Sequence, residues 1–402
     1  MTRVLELVQG VLRDDDVTDA DLPKDPGATP APNPPRWRRA LDVIVEPAPA
    51  VVIEGIVWAG CVSVLVSESG AGKTFTVLSQ AASVSADLPW HGRQVQQGSV
   101  VYVGYEGHVG LRLRALREVA GHWLEHIFVI QPTDPLSPTI DRDRNEIPSR
   151  GELELAGDLD DLSTALEAGH QPPIVLVIID TVRASLAGSE DSSETIAAYL
   201  RAFRRVLAHA PAAGGLITHH AGWQDGEQRR RRERGSSALR GNVDATLYLE
   251  SAAYDAERGQ ARLTLTTLKA RDGEVSAPLH LVRRRVEIPS LIDRWGKPVT
   301  SCVIEEDRRS PEDRKAEEAR VTDAEHDAVD RRTLHILASR PDLTSQERVR
   351  AAVNRERKAV YASLERLIDQ GLVLPPKAQR QPYTVTAAGE AMLKEGSSCE
   401  SS

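Results

Sequence analysis

The sequence predicts an α/β protein: a mostly parallel sheet with helices on both faces, a late antiparallel hairpin, and a small helical module at the end. Three observations predict it. Near-continuous apolar runs recur at 61–66, 99–105, 127–131, 174–179 and 215–219. Helical stretches such as "LRLRALREVA" and "ETIAAYLRAFRRVLAHA" separate them. After residue 251 the pattern changes to alternation, in "ARLTLTTLKARDGEVSAPLHLV". Strands that are apolar throughout belong to a parallel sheet covered on both faces, whereas alternation marks a hairpin with one face wet.

The elements follow in order. Val4, Leu5, Val8, Val11 and Leu12 give residues 1–21 the spacing of a short helix. "LPKDPGATPAPNPPR" holds six prolines and reads as an extended linker, so order is expected from about Trp37. Residues 1–36 are therefore assigned to a disordered, proline-rich segment and 37–305 to the sheet domain. Residues 306–328 are polar and highly charged, a hinge or a solvated helix. Residues 329–396 form a separate small module, and 397–402 a tail. In that module "RRTLHILASR", "TSQERVRAAV" and "RERKAVYASLERLIDQ" read as three helices. Gly371 stands where a helix end wants a left-handed residue. "LVLPP" and "YTVT" flank a basic tip, "KAQRQ".

Bulk composition narrows the function. The 402 residues are 41% hydrophobic and 27% charged, ordinary for a soluble globular chain. A formal charge of −9 argues against coating nucleic acid with the whole surface and leaves room for local basic patches. Three cysteines, Cys61, Cys302 and Cys399, are odd in number and far apart; no disulfide framework or zinc spacing can be built from them, which suits a reducing cytoplasm. The N-terminus lacks a signal-peptide core, and no apolar run approaches a membrane span, so a cytoplasmic protein without a membrane partner is expected.

The chemistry centres on "SESGAGKT", Ser67, Glu68, Ser69, Gly70, Ala71, Gly72, Lys73 and Thr74. An apolar strand precedes it and a helix follows, the setting in which backbone N–H groups wrap phosphates at a helix N-terminus. Gly70 and Gly72 allow close approach, Lys73 reaches the terminal phosphates, and Thr74 holds magnesium. Ser67 stands where such loops usually begin with glycine. Asp180 ends the buried run "IVLVIID" and is the second magnesium-side group; Thr181, not glutamate, follows it. The hydrolytic base is therefore sought at Glu106, which ends "SVVYVGYE" on a strand expected to neighbour that of the loop. His220 closes "GGLITHH" as a sensor of the terminal phosphate; His219 is read as packing inward. The loop after it carries five arginines between 229 and 234, suited to transient contact with single-stranded DNA. Lys269 and Arg271, in "LKARDG" at the hairpin tip, suit a finger reaching a neighbouring subunit's phosphates. Arg240 is the rival for that role.

Taken together, "SGAGKT", "VVYVGYEG", "VIIDT", "ITHHAG", "RGSSALRGNVDATLYL" and "LKARDG" over roughly residues 49–285 resemble the RecA-like P-loop ATPases, and among them the plasmid RepA type of hexameric replicative helicase. The resemblance implies ATP and Mg2+ as cofactors, Lys73 and Thr74 on ATP and magnesium, and Asp180 supporting the metal. It implies Glu106 as base, His220 as γ-phosphate sensor, and Arg271 with Lys269 acting across a subunit interface of a homo-oligomer, a hexamer in that family. The C-terminal module resembles a winged helix-turn-helix. Val360, Leu364, Leu367 and Ile368 share one face, while Arg355, Arg357, Lys358 and Arg366 lie largely elsewhere, so duplex DNA is a second expected partner. The expected function is a helicase or replication ATPase of a plasmid, phage or mobile element. Two other classes remain: an ATP-binding DNA-binding regulator with slow turnover, and a small-molecule phosphotransferase, for which no acceptor site or lid motif appears.

Overall fold

The structure, a computed structural model, describes residues 39–40, 44–45, 48–141, 145–220, 238–271, 275–378 and 381–398. The proline-rich segment, the basic loop 229–234 and part of the "KAQRQ" tip (Gln379, Arg380) lie outside the described residues. The chain divides into two units at Ala48, and all that follows concerns the second, Pro49–Ser402.

β1 (Val51–Ile53) and β2 (Val57–Trp58) form a short antiparallel pair. β3 (Val62–Ser67) leads through the glycine-rich loop into α1 (Lys73–Ala86). β4 (Ser99–Gly104), α2 (Gly110–Glu118) and β5 (Ile127–Ile130) follow, then a small pair, β6 (Thr139–Ile140) and β7 (Glu146–Ile147). α3 (Arg150–Ala168) precedes β8 (Ile174–Asp180), and α4 (Val182–Ser185) and α5 (Ser193–Leu207) lead to β9 (Gly214–His220). α6 (Ala238–Asn242), β10 (Ala245–Ser251), β11 (Gln260–Ala270), β12 (Leu279–Ile292) and β13 (Pro298–Glu306) complete this part.

Nine of these strands make one sheet in the order β13-β12-β11-β10-β3-β9-β8-β4-β5. From β10 to β5 every pairing is parallel; β11, β12 and β13 add antiparallel. Side chains alternate across it, as the strand period of two requires. Val62, Val64 and Val66 enter one apolar layer with Leu155, Leu159, Tyr199 and Phe203 of α3 and α5. Leu65 enters the other, with Val77, Leu78 and Ala81 of α1. Both faces of the parallel strands are thus covered, which is why their runs carry almost no polar residues.

Two details depart from the sequence reading. A third antiparallel strand, β13, returns along β12. And β4 does not neighbour β3, because β9 and β8 stand between them. Periodicity identifies strands, but their order is set by which crossover packs against which face.

Next comes α7, a single helix over Pro311–Ser339, so the 328/329 boundary falls inside it. Ser310 accepts from the Asp313 amide and Pro311 opens the helix, a strong start signal. α8 (Gln346–Val353), α9 (Arg357–Asp369), a two-stranded pair β14 (Val373–Leu374) and β15 (Thr384–Val385), and α10 (Ala387–Ser398) follow. Leu334, Leu337, Val349, Val353, Val360, Leu364, Leu367 and Val373 form their common core. Gly371 has φ of 69° just beyond α9 and lets the chain turn into β14. Arg366 is committed to Asp330 of α7 at 2.7 Å, whereas Arg355, Arg357 and Lys358 are exposed at the start of α9.

Candidate nucleotide site

The glycine-rich loop explains its own residues. Gly70 has φ of 77° and Gly72 of 112°, angles that side-chain-bearing residues rarely adopt. Ser67 carries no positive φ; it is the last residue of β3 and fully buried. Glycine's conformational freedom is therefore not needed at Ser67. The helix that follows is open at its N-terminus: Gly72 supplies no side-chain cap, whereas α3 and α5 are capped by Ser149 and Ser192. Uncapped amide N–H groups at a positive helix end form a ready anion site.

Lys73 is buried, and its Nζ donates to Ser67 Oγ (3.1 Å), Glu68 O (3.2 Å), Ser67 O (3.3 Å) and His220 Nδ1 (3.1 Å). Burial pushes its ammonium down to about 8, against the opposing pull of the Asp180 and Glu106 charges. Burial first, and Lys73 second, lower His220, which suits a neutral imidazole accepting at Nδ1 and keeping its proton on Nε2. His220 is paired in register with Ser67 across β9 and β3, so strand pairing itself brings it to the loop.

Asp180, at the end of β8, gathers three hydroxyls. Thr74 and Tyr102 donate to Oδ2 at 2.6 and 2.8 Å, and Thr218 donates to Oδ1 at 2.5 Å. Burial and the adjacent Asp180 charge raise the Tyr102 phenol well above its ordinary range, so it remains a donor. Glu106 lies just past β4. Although β4 is three places from β3, Glu106 reaches the cluster through Thr181, whose hydroxyl donates to Glu106 Oε1 at 3.1 Å. The residue after Asp180 thus holds the carboxylate that sequence reasoning sought elsewhere. Its hard oxygen donors, cationic lysine and open helix end are the donor set for a magnesium-bound triphosphate.

Lys269 and Arg271 are not in this cluster. Lys269 Nζ donates to the carbonyls of Val243 (2.7 Å) and Arg240 (2.9 Å) at the end of α6. Arg271 Nη1 pairs with Asp244 Oδ1 at 2.9 Å, and the other Asp244 oxygen accepts from the Val62 amide. Both lie at the beginning of β3 and β10, the opposite end of the sheet from the loop, roughly 16 Å away by strand rise.

Sequence reasoning missed Tyr102, Thr218 and Arg283. The first two sit inside apolar runs, and a polar residue in a fully buried strand needs a partner, which was the available signal. Arg283 of β12 donates from Nη1 to the Gly70 carbonyl at 2.5 Å and lies against Gly72; nothing in the "RRR" run marks it out.

A family model described as an AAA domain matches residues 29–226. That span includes the loop, Glu106, Asp180 and His220, and stops short of Lys269, Arg271 and the C-terminal helices. No curated protein matches the chain. The match and the mostly parallel sheet fit a nucleotide-binding ATPase of the P-loop kind. Among the described residues no helix is long and apolar enough to cross a membrane.

Proposed function

We propose that this chain is a RecA-like ATPase of the plasmid RepA type that hydrolyses ATP between like subunits of a ring and acts on DNA. The observation that carries the proposal is the convergence of Lys73, Thr74, Asp180, His220 and the Thr181–Glu106 pair at the carboxyl ends of neighbouring strands. Thr74 and Asp180 would hold Mg2+, which would neutralise charge on the terminal phosphates. Lys73 binds and orients those phosphates. Glu106, held by Thr181, takes a proton from the attacking water, and His220 feels the terminal phosphate through Lys73.

Arg271, with Lys269, serves a neighbour's site, since its own loop is a sheet's length away. DNA contact rests on the arginines of 229–234 and on the exposed Arg355, just before α9, with Arg357 and Lys358 at its start, the C-terminal module being read as a winged helix. Those α9 cations also favour a second reading, an ATP-binding regulator that recognises duplex DNA and turns over slowly. ATP hydrolysis with and without single-stranded DNA separates the two. Strong stimulation is expected; no stimulation together with tight, sequence-selective duplex binding would establish the regulator instead.

A further inference from the structure

The β12–β13 hairpin ends in a turn built to hold one shape. Asp293 N donates to Lys297 O at 2.8 Å, and Gly296 N donates to Asp293 O at 3.1 Å. Asp293 Oδ1 accepts from the amides of Trp295 and Lys297, both at 2.8 Å. Gly296, with φ of 80°, supplies the left-handed residue the turn requires. On this clasp stands Trp295, 69% exposed, with Ile292 of β12 61% exposed beside it. The Arg294 guanidinium lies 4.0 Å from the Trp295 ring centroid. Lys297 is exposed, and Asp293, the one acid of the turn, is engaged by two backbone amides.

We propose that this tip is a stacking platform for an unpaired base of single-stranded nucleic acid. The ring's order is already established by the turn, so stacking costs little additional ordering. Arg294 lies over the indole, and the ring's 69% exposure leaves room for a base, with the exposed Arg294 and Lys297 as nearby cations for phosphate. Size decides against a second copy of the chain. Residues 293–297 at the end of a two-stranded arm cannot supply the ~800 Å2 per partner that a stable protein interface buries. Stacking one base needs only the exposed ring face.

The inference rests on the reading that the protein acts on DNA. It is tested by fluorescence anisotropy of a dye-labelled oligothymidylate with the full chain, Trp295→Ala and Trp295→Phe. Trp295→Ala should weaken binding by about five- to a hundredfold, and Trp295→Phe should retain most of it. Hydrolysis of ATP without DNA should be unchanged in both, which certifies their folding. Equal binding by the wild-type chain and Trp295→Ala overturns the platform and leaves the DNA reading standing. No binding by the wild-type chain removes the platform and the single-strand reading with it. A Trp295→Ala chain that sediments at a smaller mass but binds the oligonucleotide normally makes the tip a contact between copies, and the inference is wrong.

Discussion

The two ends of the central sheet carry the two sets of charged residues that the sequence singles out, and they are built differently. At the carboxyl ends of β3, β8 and β9, each group touches another of the same cluster: Lys73 touches His220, Thr74 touches Asp180, and Thr181 touches Glu106. At the amino ends of β3 and β10, Lys269 and Arg271 touch, among the described residues, only scaffold. They satisfy the carbonyls closing α6 and the carboxylate of Asp244, which also anchors the Val62 amide. The first end is an assembled site. The second is a pair of cations held against the fold, with the Arg271 side chain half-exposed at 52% and its partner Asp244 largely buried at 12%. The difference teaches that a chain can gather one set of charged groups into a single cluster at one end of its sheet while holding another set against its scaffold at the opposite end.

The largest effect that would break this comparison concerns Arg271. If it stabilises transferring phosphate across an interface, Arg271→Ala lowers turnover by about 10³-fold or more, with little change in folding. Mixing Arg271→Ala with Glu106→Gln subunits then restores part of the activity, because some interfaces combine an intact Glu106 with an intact Arg271. Co-assembly without any recovery, followed by steady-state ATP hydrolysis, would show that Arg271 does not act across the interface.

Lys73→Ala should lower turnover by about 10²–10³-fold. Here mixing is the sharper measurement. Lys73 and Glu106 lie at the same end of one chain, so Lys73→Ala mixed with Glu106→Gln leaves no interface with both groups intact. Recovery in this mixture, measured beside the Arg271 mixture, would show that the cluster is not one chain's own.

How much of this was legible depends on what each residue is for. The loop, Asp180 and the runs that became β3, β4, β8 and β9 were readable, because burial on both faces leaves a continuous apolar signature. The strand order was not, since it depends on packing between distant segments. Thr181 was noticed only as the absence of glutamate, yet its hydroxyl, just past the end of the adjacent β8, is what ties Glu106 to the site. Lys269 and Arg271 were legible as a pair of cations, but their anchoring by Asp244 and the α6 carbonyls was not, because those contacts span 26 residues or more.

A roughly fivefold effect follows from the Lys73 ammonium, which burial brings down to about 8. It is charged below that pH and neutral above it, and only the charged form attracts incoming phosphates. Because kcat/KM reports the free enzyme, kcat/KM for ATP should fall about five- to sixfold between pH 8 and pH 9. kcat should fall later, since bound phosphate favours the ammonium. A flat kcat/KM profile from pH 7 to 9.5 would show that Lys73 keeps an ordinary lysine's affinity for its proton.

The smallest effect is at Ser67. Four acceptors surround Lys73 Nζ, one of them Ser67 Oγ, while an ammonium has three protons to give. Ser67→Gly removes one acceptor and still leaves one for each proton. Reaching a terminal phosphate requires the ammonium to release some of these partners, and without the hydroxyl there is one fewer to release. KM for ATP should therefore fall two- to fivefold, a net hydrogen-bond value of about 0.5–1 kcal/mol. Glycine's extra chain freedom should lower the midpoint of denaturant unfolding slightly, since glycine in a strand costs roughly 0.5–1 kcal/mol. A rise in KM would mean that the Ser67 hydroxyl grips the nucleotide itself, and then the serine belongs to the cradle and not to the resting place of the lysine.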